Sequence, residues 1–341
     1  MNDITQSQGY QSSKLFHIQR ACICAWIFLP FLFCVVIHAM YYIDKRKTSK
    51  DALLIVKCQP KGFDWTIDLG INFFDTADAY GYGRNERLLG SAFKGRWQDV
   101  VLATKFAIVR GANGEFLGLN GKPEYIRQAC DQSLKNLGIE AIDLYYMHRK
   151  DPEVEIEETV GTMADLVKQG KVKNIGLSEV DAETLRRAHA THPIAALQTE
   201  YSLWSREPEK EILDVCAELG ITFVAYSPLG RGFLTGAIKT REDLEEGDWR
   251  LGNPRFTDEA IQENFKFVEI ISRIADSHGT TNAQIALAWV LSQNDQIATI
   301  PGTRNIDRLE ENFGAFNVAL TENDFALIEA HMPSQTVGER Y

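Results

Sequence analysis

Residues 69–81 read LGINFFDTADAYG. The run Ile71–Phe74 is mostly apolar and too short for a helix, which predicts a strand covered from two sides. It then breaks into a polar turn that carries Asp75 and Tyr80. In sheets buried by flanking helices, polar groups just past the C-terminal end of a strand are the ones offered to a ligand.

The same theme recurs along the chain. Val100–Thr104 runs into Lys105, Ile142–Met147 into His148, and Val172–Leu177 into Ser178. Ala196–Thr199 contains Gln198, Ile221–Tyr226 runs into Ser227, and Ile297–Ile300 into Pro301, Gly302 and Thr303. Helices are predicted over Pro123–Leu137, Glu155–Gln169, Glu207–Leu219, Thr281–Gln293, Asp307–Phe313 and Glu322–His331. The first opens on proline and stops before Gly138, as helices tend to. Seven short apolar strands alternating with helices predict an α/β fold, a (β/α)8 TIM barrel over residues 61–341. An open doubly wound sheet is the alternative, but the nearest approach to a dinucleotide fingerprint, Gly230-Arg231-Gly232, lacks the third glycine.

One strand is unaccounted for. Leu53–Cys58 is a candidate, yet it lies so close to Ile71 that a full crossover helix hardly fits. The first βα unit is therefore expected to be abbreviated or replaced, which leaves a question over activity.

Asp75, Tyr80, Lys105 and His148 fall at neighbouring strand ends. Each alone has a plain structural explanation: a turn cap, a packed loop aromatic, a solvated strand end, a core imidazole. Together they form a chemical set. A phenol titrates near 10 and is a poor acid at neutral pH. A nearby ammonium favours the phenolate, and a buried carboxylate holds that ammonium in place. Histidine offers a hydrogen bond to a substrate oxygen. Such a group suits protonation of an oxygen that gains charge as hydride adds to a carbonyl.

The segments LGINFFDTADAYG, VVLATKF, IDLYYMHRKDP, KNIGLSEV, LQTEYSLW, FVAYSPLGRGFLTG and IPGTRNIDRLEEN resemble the aldo-keto reductases from about residue 66 onward. The HRKDP form at His148–Pro152 and the long 230–252 loop look most like a subgroup that includes perakine-reductase-like and pyridoxal-reductase-like enzymes. The resemblance implies a catalytic tetrad of Asp75, Tyr80, Lys105 and His148, with Tyr80 the general acid. It implies that Ser178 and Gln198 hold the nicotinamide carboxamide, that Tyr226 stacks on the ring, and that Ser227 and Leu229 line the pyrophosphate. It places Gly302, Thr303, Arg304, Arg308, Glu311 and Asn312 at the adenosine end. No metal is implied. The expected cofactor is NADPH. Arg304 and Arg308, four apart, would share a helix face above the N-terminal turn at Gly302 and Thr303, and two guanidiniums suit a 2′-phosphate. Trp204, Phe106 and Arg149 are either pocket-lining or core residues. The expected substrate is a small carbonyl compound. An NADPH-sensing regulatory subunit on the same fold, or a truncated inactive reductase, are the other readings.

Residues 1–60 do not share the resemblance. The run 21–43 carries no formal charge and is long enough to span a bilayer, with Lys45, Arg46, Lys47 and Lys50 following it. A membrane anchor that leaves the barrel in the cytoplasm is the first expectation. A cleaved signal, or a segment never selected as a folded part, such as a mistaken gene start, are the others. The net charge of −11, from 47 acidic and 36 basic residues, argues against a nucleic-acid partner. The six cysteines, Cys22, Cys24, Cys34, Cys58, Cys130 and Cys216, form no CxxC pair and no zinc spacing, as expected for reduced thiols.

Overall fold

The structure is a computed structural model. It describes residues 66–111, 114–331 and 336–340, together with a backbone strand at Phe33–Val35. One sheet is built from β1 (Phe33–Val35), β2 (Ile71–Asp75), β3 (Val101–Phe106), β6 (Ile142–Met147), β7 (Val172–Ser178), β8 (Ala196–Glu200), β9 (Thr222–Tyr226) and β10 (Ile297–Ile300), in that order. Between β3 and β6 lies a separate hairpin, β4 (Ile108–Arg110) with β5 (Phe116–Leu119). Sheet order follows chain order without the reversal that defines a doubly wound sheet. With parallel pairing from β1 through β8 and helices between the strands, the fold is of the (β/α)8 TIM-barrel class.

Helices α1 (Arg84–Ala92), α2 (Pro123–Leu137), α3 (Ile156–Lys168), α4 (Ala182–Thr191) and α5 (Ile212–Leu219) follow β2, the β4–β5 hairpin, β6, β7 and β8 in turn. Helices α6 (Asp258–His278) and α7 (Asn282–Ser292) both precede β10, and α8 (Ile306–Phe313) and α9 (Glu322–His331) close the chain. The chain forms two compact units. The first runs to Thr199 and takes in Glu211–Val224; the second comprises Glu200–Lys210 and the chain from Ala225 onward.

In the first unit the strands meet predicted runs closely, because near-continuous apolar sequence has no polar face to turn to solvent. Leu102, Ala103, Phe106, Tyr145, Tyr146, Met147, Ile175 and Leu177 are fully buried. Helix α2 has its predicted bounds, with Pro123 in the first turn and Gly138 left-handed at φ 67°. Gly176 has a different reason to be glycine. A Cβ there would come within 2.5 Å of the Tyr146 ring and 2.9 Å of the Ala196 carbonyl oxygen, so only a bare backbone lets β6, β7 and β8 close up. The helix predicted over Glu207–Leu219 is broken. A 3-10 turn at Glu207–Lys210 is separated from α5 by Glu211, whose φ −158° and ψ −41° are not helical.

The first strand comes from an unexpected place. Phe33–Val35 pairs in parallel with β2, Cys34 opposite Phe73 and Val35 opposite Phe74. These residues belong to the run expected to cross a membrane, and they are extended rather than helical. Among the described residues no helix is long and apolar enough to cross a membrane. The rest of the 21–43 run, and the alternative strand candidate Leu53–Cys58, lie outside the described residues.

In the second unit, α7 is apolar on every side, with Ala283, Ile285, Ala286, Leu287, Trp289 and Val290 buried, as a helix enclosed by protein must be. Its start is fixed by a reciprocal cap in which Thr281 and Gln284 each accept the other's backbone N–H. Trp204 stacks on Phe233 with ring centroids 4.3 Å apart and meets Phe256 edge-on, which makes it a core residue.

Beside this aromatic core, Glu200 is 1% exposed and gathers three guanidiniums: Arg231 at 2.9 Å, Arg340 at 3.6 Å and Arg255 at 3.8 Å. Ser205 bridges, donating to Glu200 (3.2 Å) and accepting from Arg255 (2.7 Å). Burial, helped by the nearby charges of Arg231 and Arg340, holds the Arg255 pKa below the ordinary arginine value, against the pull of Glu200 and Glu207. The same arginines fasten the C-terminal tail. Arg231 donates to the Arg340 carbonyl (2.9 Å), Arg255 to that of Gly338 (3.4 Å), and Asn264 exchanges two bonds with Val337. Replacing Glu200 with Gln would leave buried cations without their shared carboxylate. The expected cost is about 3–5 kcal/mol in urea unfolding, with faster hydrogen exchange across 336–340. A loss below about 1 kcal/mol, the surface-pair range, would contradict this role.

Candidate active site

The register of the first unit brings the predicted groups to one end of the sheet. Asp75 ends β2, Lys105 is the penultimate residue of β3, His148 follows β6, Ser178 ends β7 and lies directly opposite Gln198 on β8. Backbone bonds carry the alignment past the strand ends. Thr76 N–H donates to Ala103 O (2.9 Å), Asp78 N–H to Lys105 O (3.1 Å) and His148 N–H to Phe106 O (2.9 Å).

Lys105 is wholly buried. Its ammonium donates to Asp75 Oδ1 and, at 2.8 Å, to the Thr76 carbonyl. Asp75 Oδ2 accepts from Gln198 Nε2 at 2.8 Å. Burial pushes the Asp75 carboxyl above its ordinary range, while the Lys105 charge and hydrogen bond, and the Gln198 amide, draw it back down. An ion pair this deep is costly to desolvate and contributes little net stability unless its remaining valences are met. Here Thr76 and Gln198 meet them, and the result is a fixed cation.

Tyr80 is half-buried in the turn after β2. The Lys105 nitrogen lies 5.3 Å from its ring centroid, and the His148 ring meets it edge-on at 5.7 Å and 85°. The turn that presents it is sharply bent, since Gly81, Tyr82 and Gly83 are left-handed in succession at φ 57°, 58° and 70°. The other non-glycine residues with positive φ among the described residues are Ala107, Glu179, Ser227 and Arg231. The first three each directly follow a strand, and Arg231 lies in the loop after β9. Strained backbone of this kind collects where a site fixes its geometry.

The structure thus brings Asp75, Tyr80, Lys105, His148, Ser178 and Gln198 together in the first unit. The Gln198 amide is engaged with Asp75, and the Ser178 hydroxyl accepts from Arg149 Nη1 at 3.2 Å. Phe106, packed on Tyr145 at 5.0 Å, belongs to the core.

The remaining predicted residues lie in the second unit. Tyr226 ends β9, and Ser227, at φ 50°, turns the chain into the 3-10 segment Gly230–Thr235, which Leu229 caps. Gly302, Thr303 and Arg304 precede helix α8 rather than open it. Asn305 is the N-cap, and its side chain accepts from the Asp307 (2.7 Å) and Arg308 (3.3 Å) amides. Arg304 and Arg308 therefore do not share a helix face, and the first-turn amides expected to meet a phosphate are already partly satisfied. Both guanidiniums are exposed, and no ion pair holds either of them among the described residues. Asn312 is buried and Glu311 half-buried further along α8.

Sequence reasoning missed a polar network that ties α1 to the turn after β2, to β3 and to α2. Thr76 Oγ1 donates to Asn85 (2.6 Å), Thr104 Oγ1 to Glu86 Oε1 (2.7 Å) and Asn136 Nδ2 to Glu86 Oε2 (2.8 Å). The signal was an acidic residue, Glu86, on a helix face otherwise turned to the core.

Comparisons with known proteins bear on the family. The Aldo/keto reductase family matches residues 64–333. A relative from Schizosaccharomyces pombe, aldo-keto reductase yakc [NADP(+)], is 43% identical over 314 residues, covering 90% of this chain and 89% of its own. A probable aldo-keto reductase 1 from Glycine max is 47% identical over 295 residues, covering 86% of this chain and 83% of its own. Among solved structures, an aldo/keto reductase from Klebsiella pneumoniae in complex with NADP and acetate superposes with a TM-score of 0.66 at 25% identity, covering 92% of this chain and 94% of that one. The chain belongs to the aldo/keto reductase family.

Proposed function

We propose that this protein reduces an aldehyde or ketone to an alcohol with NADPH. The observation that carries the reading is the buried Lys105–Asp75 pair set beside the Tyr80 ring. NADPH, when bound, supplies the hydride. The chain's own groups manage the proton. Lys105 favours the phenolate that Tyr80 becomes as its hydroxyl passes a proton to the carbonyl oxygen. Asp75 keeps the ammonium in place, and Gln198 keeps Asp75 in place. His148, edge-on to Tyr80, donates a hydrogen bond to the same substrate oxygen. The preference for a phosphorylated dinucleotide rests on the relatives, whose names carry NADP, and on the two exposed guanidiniums of Arg304 and Arg308. A 2′-phosphate would meet those side chains in preference to the capped amides of α8.

Purified protein is expected to oxidise NADPH when offered an aldehyde or ketone from a broad panel, with the alcohol as product. Arg308→Ala is expected to weaken NADPH binding about tenfold, the worth of one exposed charge-assisted bond, and to leave NADH binding unchanged. Quenching of tryptophan fluorescence reads both. An equal loss for the two dinucleotides would remove Arg308 from the phosphate site, and no oxidation with any carbonyl would overturn the function.

A further inference from the structure

Asp78 sits in the turn between Asp75 and Tyr80, and its backbone is stapled at both ends. Its N–H donates to Lys105 O (3.1 Å) and its carbonyl accepts from Gly83 (2.8 Å). Its side-chain oxygen Oδ1 is buried and has no hydrogen-bond partner among the described residues. Glu86 on α1, whose charge couples to it, accepts at both of its oxygens from Thr104 and Asn136. The other titratable groups whose charge couples to that of Asp78 are Lys105 on β3, Tyr125 on α2 and Tyr145 on β6. Burial, with Glu86 adding to it, raises the Asp78 carboxyl from 3.8 to about 8, against the Ala79 amide and Lys105. Burial and the same carboxyl push the Tyr125 phenol up to about 12. The residue is half-buried, its backbone N–H is fixed to the Lys105 carbonyl, and beside the Ala79 amide its carboxyl keeps one buried oxygen with no partner among the described residues.

We propose that Asp78 is a positioning residue for the reaction: acting through Lys105, its charge sets how strongly that ammonium acidifies the Tyr80 phenol. This rests on the reading of Tyr80 as proton donor. While Asp78 carries its proton, the Lys105 charge not balanced by Asp75 acts on Tyr80 undiminished. Once Asp78 ionises, a further negative charge opposes the phenolate. The two groups then titrate as a coupled pair, and the phenol ionises later and over a broader range than it would alone. Tyr80 thereby keeps its proton, and its capacity to donate it, into mildly alkaline solution.

The test is an ultraviolet difference titration of the cofactor-free protein, with the Tyr80→Phe spectrum subtracted so that one phenol is read. In Asp78→Asn the Tyr80 midpoint is expected to fall by about one unit, and the transition to narrow to that of a single proton. Asp78→Ser, also neutral but different in shape, is expected to give the same shift, and Asp78→Glu to restore the broad transition. An unchanged midpoint and width in both neutral variants would overturn the proposal. Because absorbance reads the phenol directly, the result is independent of whether Tyr80→Phe loses turnover.

Melting curves check that the proton resides on Asp78. Its folded-state pKa lies above the unfolded value of 3.8. The wild type therefore loses this contribution as pH rises from about 4 to about 8, whereas Asp78→Asn does not. The variant is expected to gain on the wild type between pH 5 and pH 9. A difference that stays constant across that range would overturn the assignment.

Discussion

Lys105→Met is expected to lose both activity and stability, and the two losses have one origin. Methionine fills most of the volume of the lysine stem but brings no charge to Tyr80. The phenol then lacks the cation that stabilises its conjugate base, and kcat is expected to fall by about 10²–10⁴-fold, the usual worth of an acid–base group. Asp75 is left buried with Gln198 as its remaining side-chain partner. Removing one member of a buried pair costs about 3–5 kcal/mol, because the survivor is stranded away from water.

The pH dependence of that cost follows from the sign of the shift. Asp75 already lies above its ordinary value through burial, and without the ammonium it moves further up. Its folded-state pKa exceeds its unfolded one, so the stability tied to it is present in acid and fades as pH rises. The deficit of Lys105→Met in urea unfolding is therefore expected to be smaller at pH 5 than at pH 8. Adding Asp75→Asn should recover much of it without restoring turnover. A single variant as stable as wild type at pH 8 would contradict the buried pair as described.

Much of this fold can be read from the sequence, and the exceptions have physical causes. The seven strand runs between Ile71 and Ile300 are legible because a strand covered on both faces has no room for polar alternation. Lys105, His148 and Ser178 are legible as the first polar side chains after those runs. The 21-residue helix α6 escaped notice because it duplicates a step of the βα alternation, although Ile261, Val268 and Ile271 repeat at helical spacing. The broken helix before Leu219 hinged on one backbone conformation, at Glu211, that no residue type announces. The first strand was misread because a bilayer and a buried sheet ask for the same apolar composition. Phe33–Val35 needed only three extended residues from a run that also had the length of a span. At α8 the signal was present: asparagine is a preferred N-cap, and Asn305 places Arg304 outside the helix. The Gln198–Asp75 bond joins residues 123 apart, and nothing local to either residue announces it.

Tyr80→Phe isolates the proton itself. The ring keeps its contacts, edge-on to His148 at 5.7 Å and under the Lys105 nitrogen at 5.3 Å. The hydroxyl is all that goes. Melting temperature and NADPH affinity should therefore stay close to wild type. The reaction loses its acid, and water or His148 has to deliver the proton at a distance and with an acidity for which the site is not arranged. The measurement is the single-turnover rate of carbonyl reduction by Tyr80→Phe with NADPH bound, beside the wild type. A fall of about 10²–10⁴-fold at unchanged NADPH affinity is the expected result. A variant that reduces the carbonyl at the wild-type rate would contradict Tyr80 as the proton donor, and with it the chemistry assigned to the Lys105–Asp75 pair.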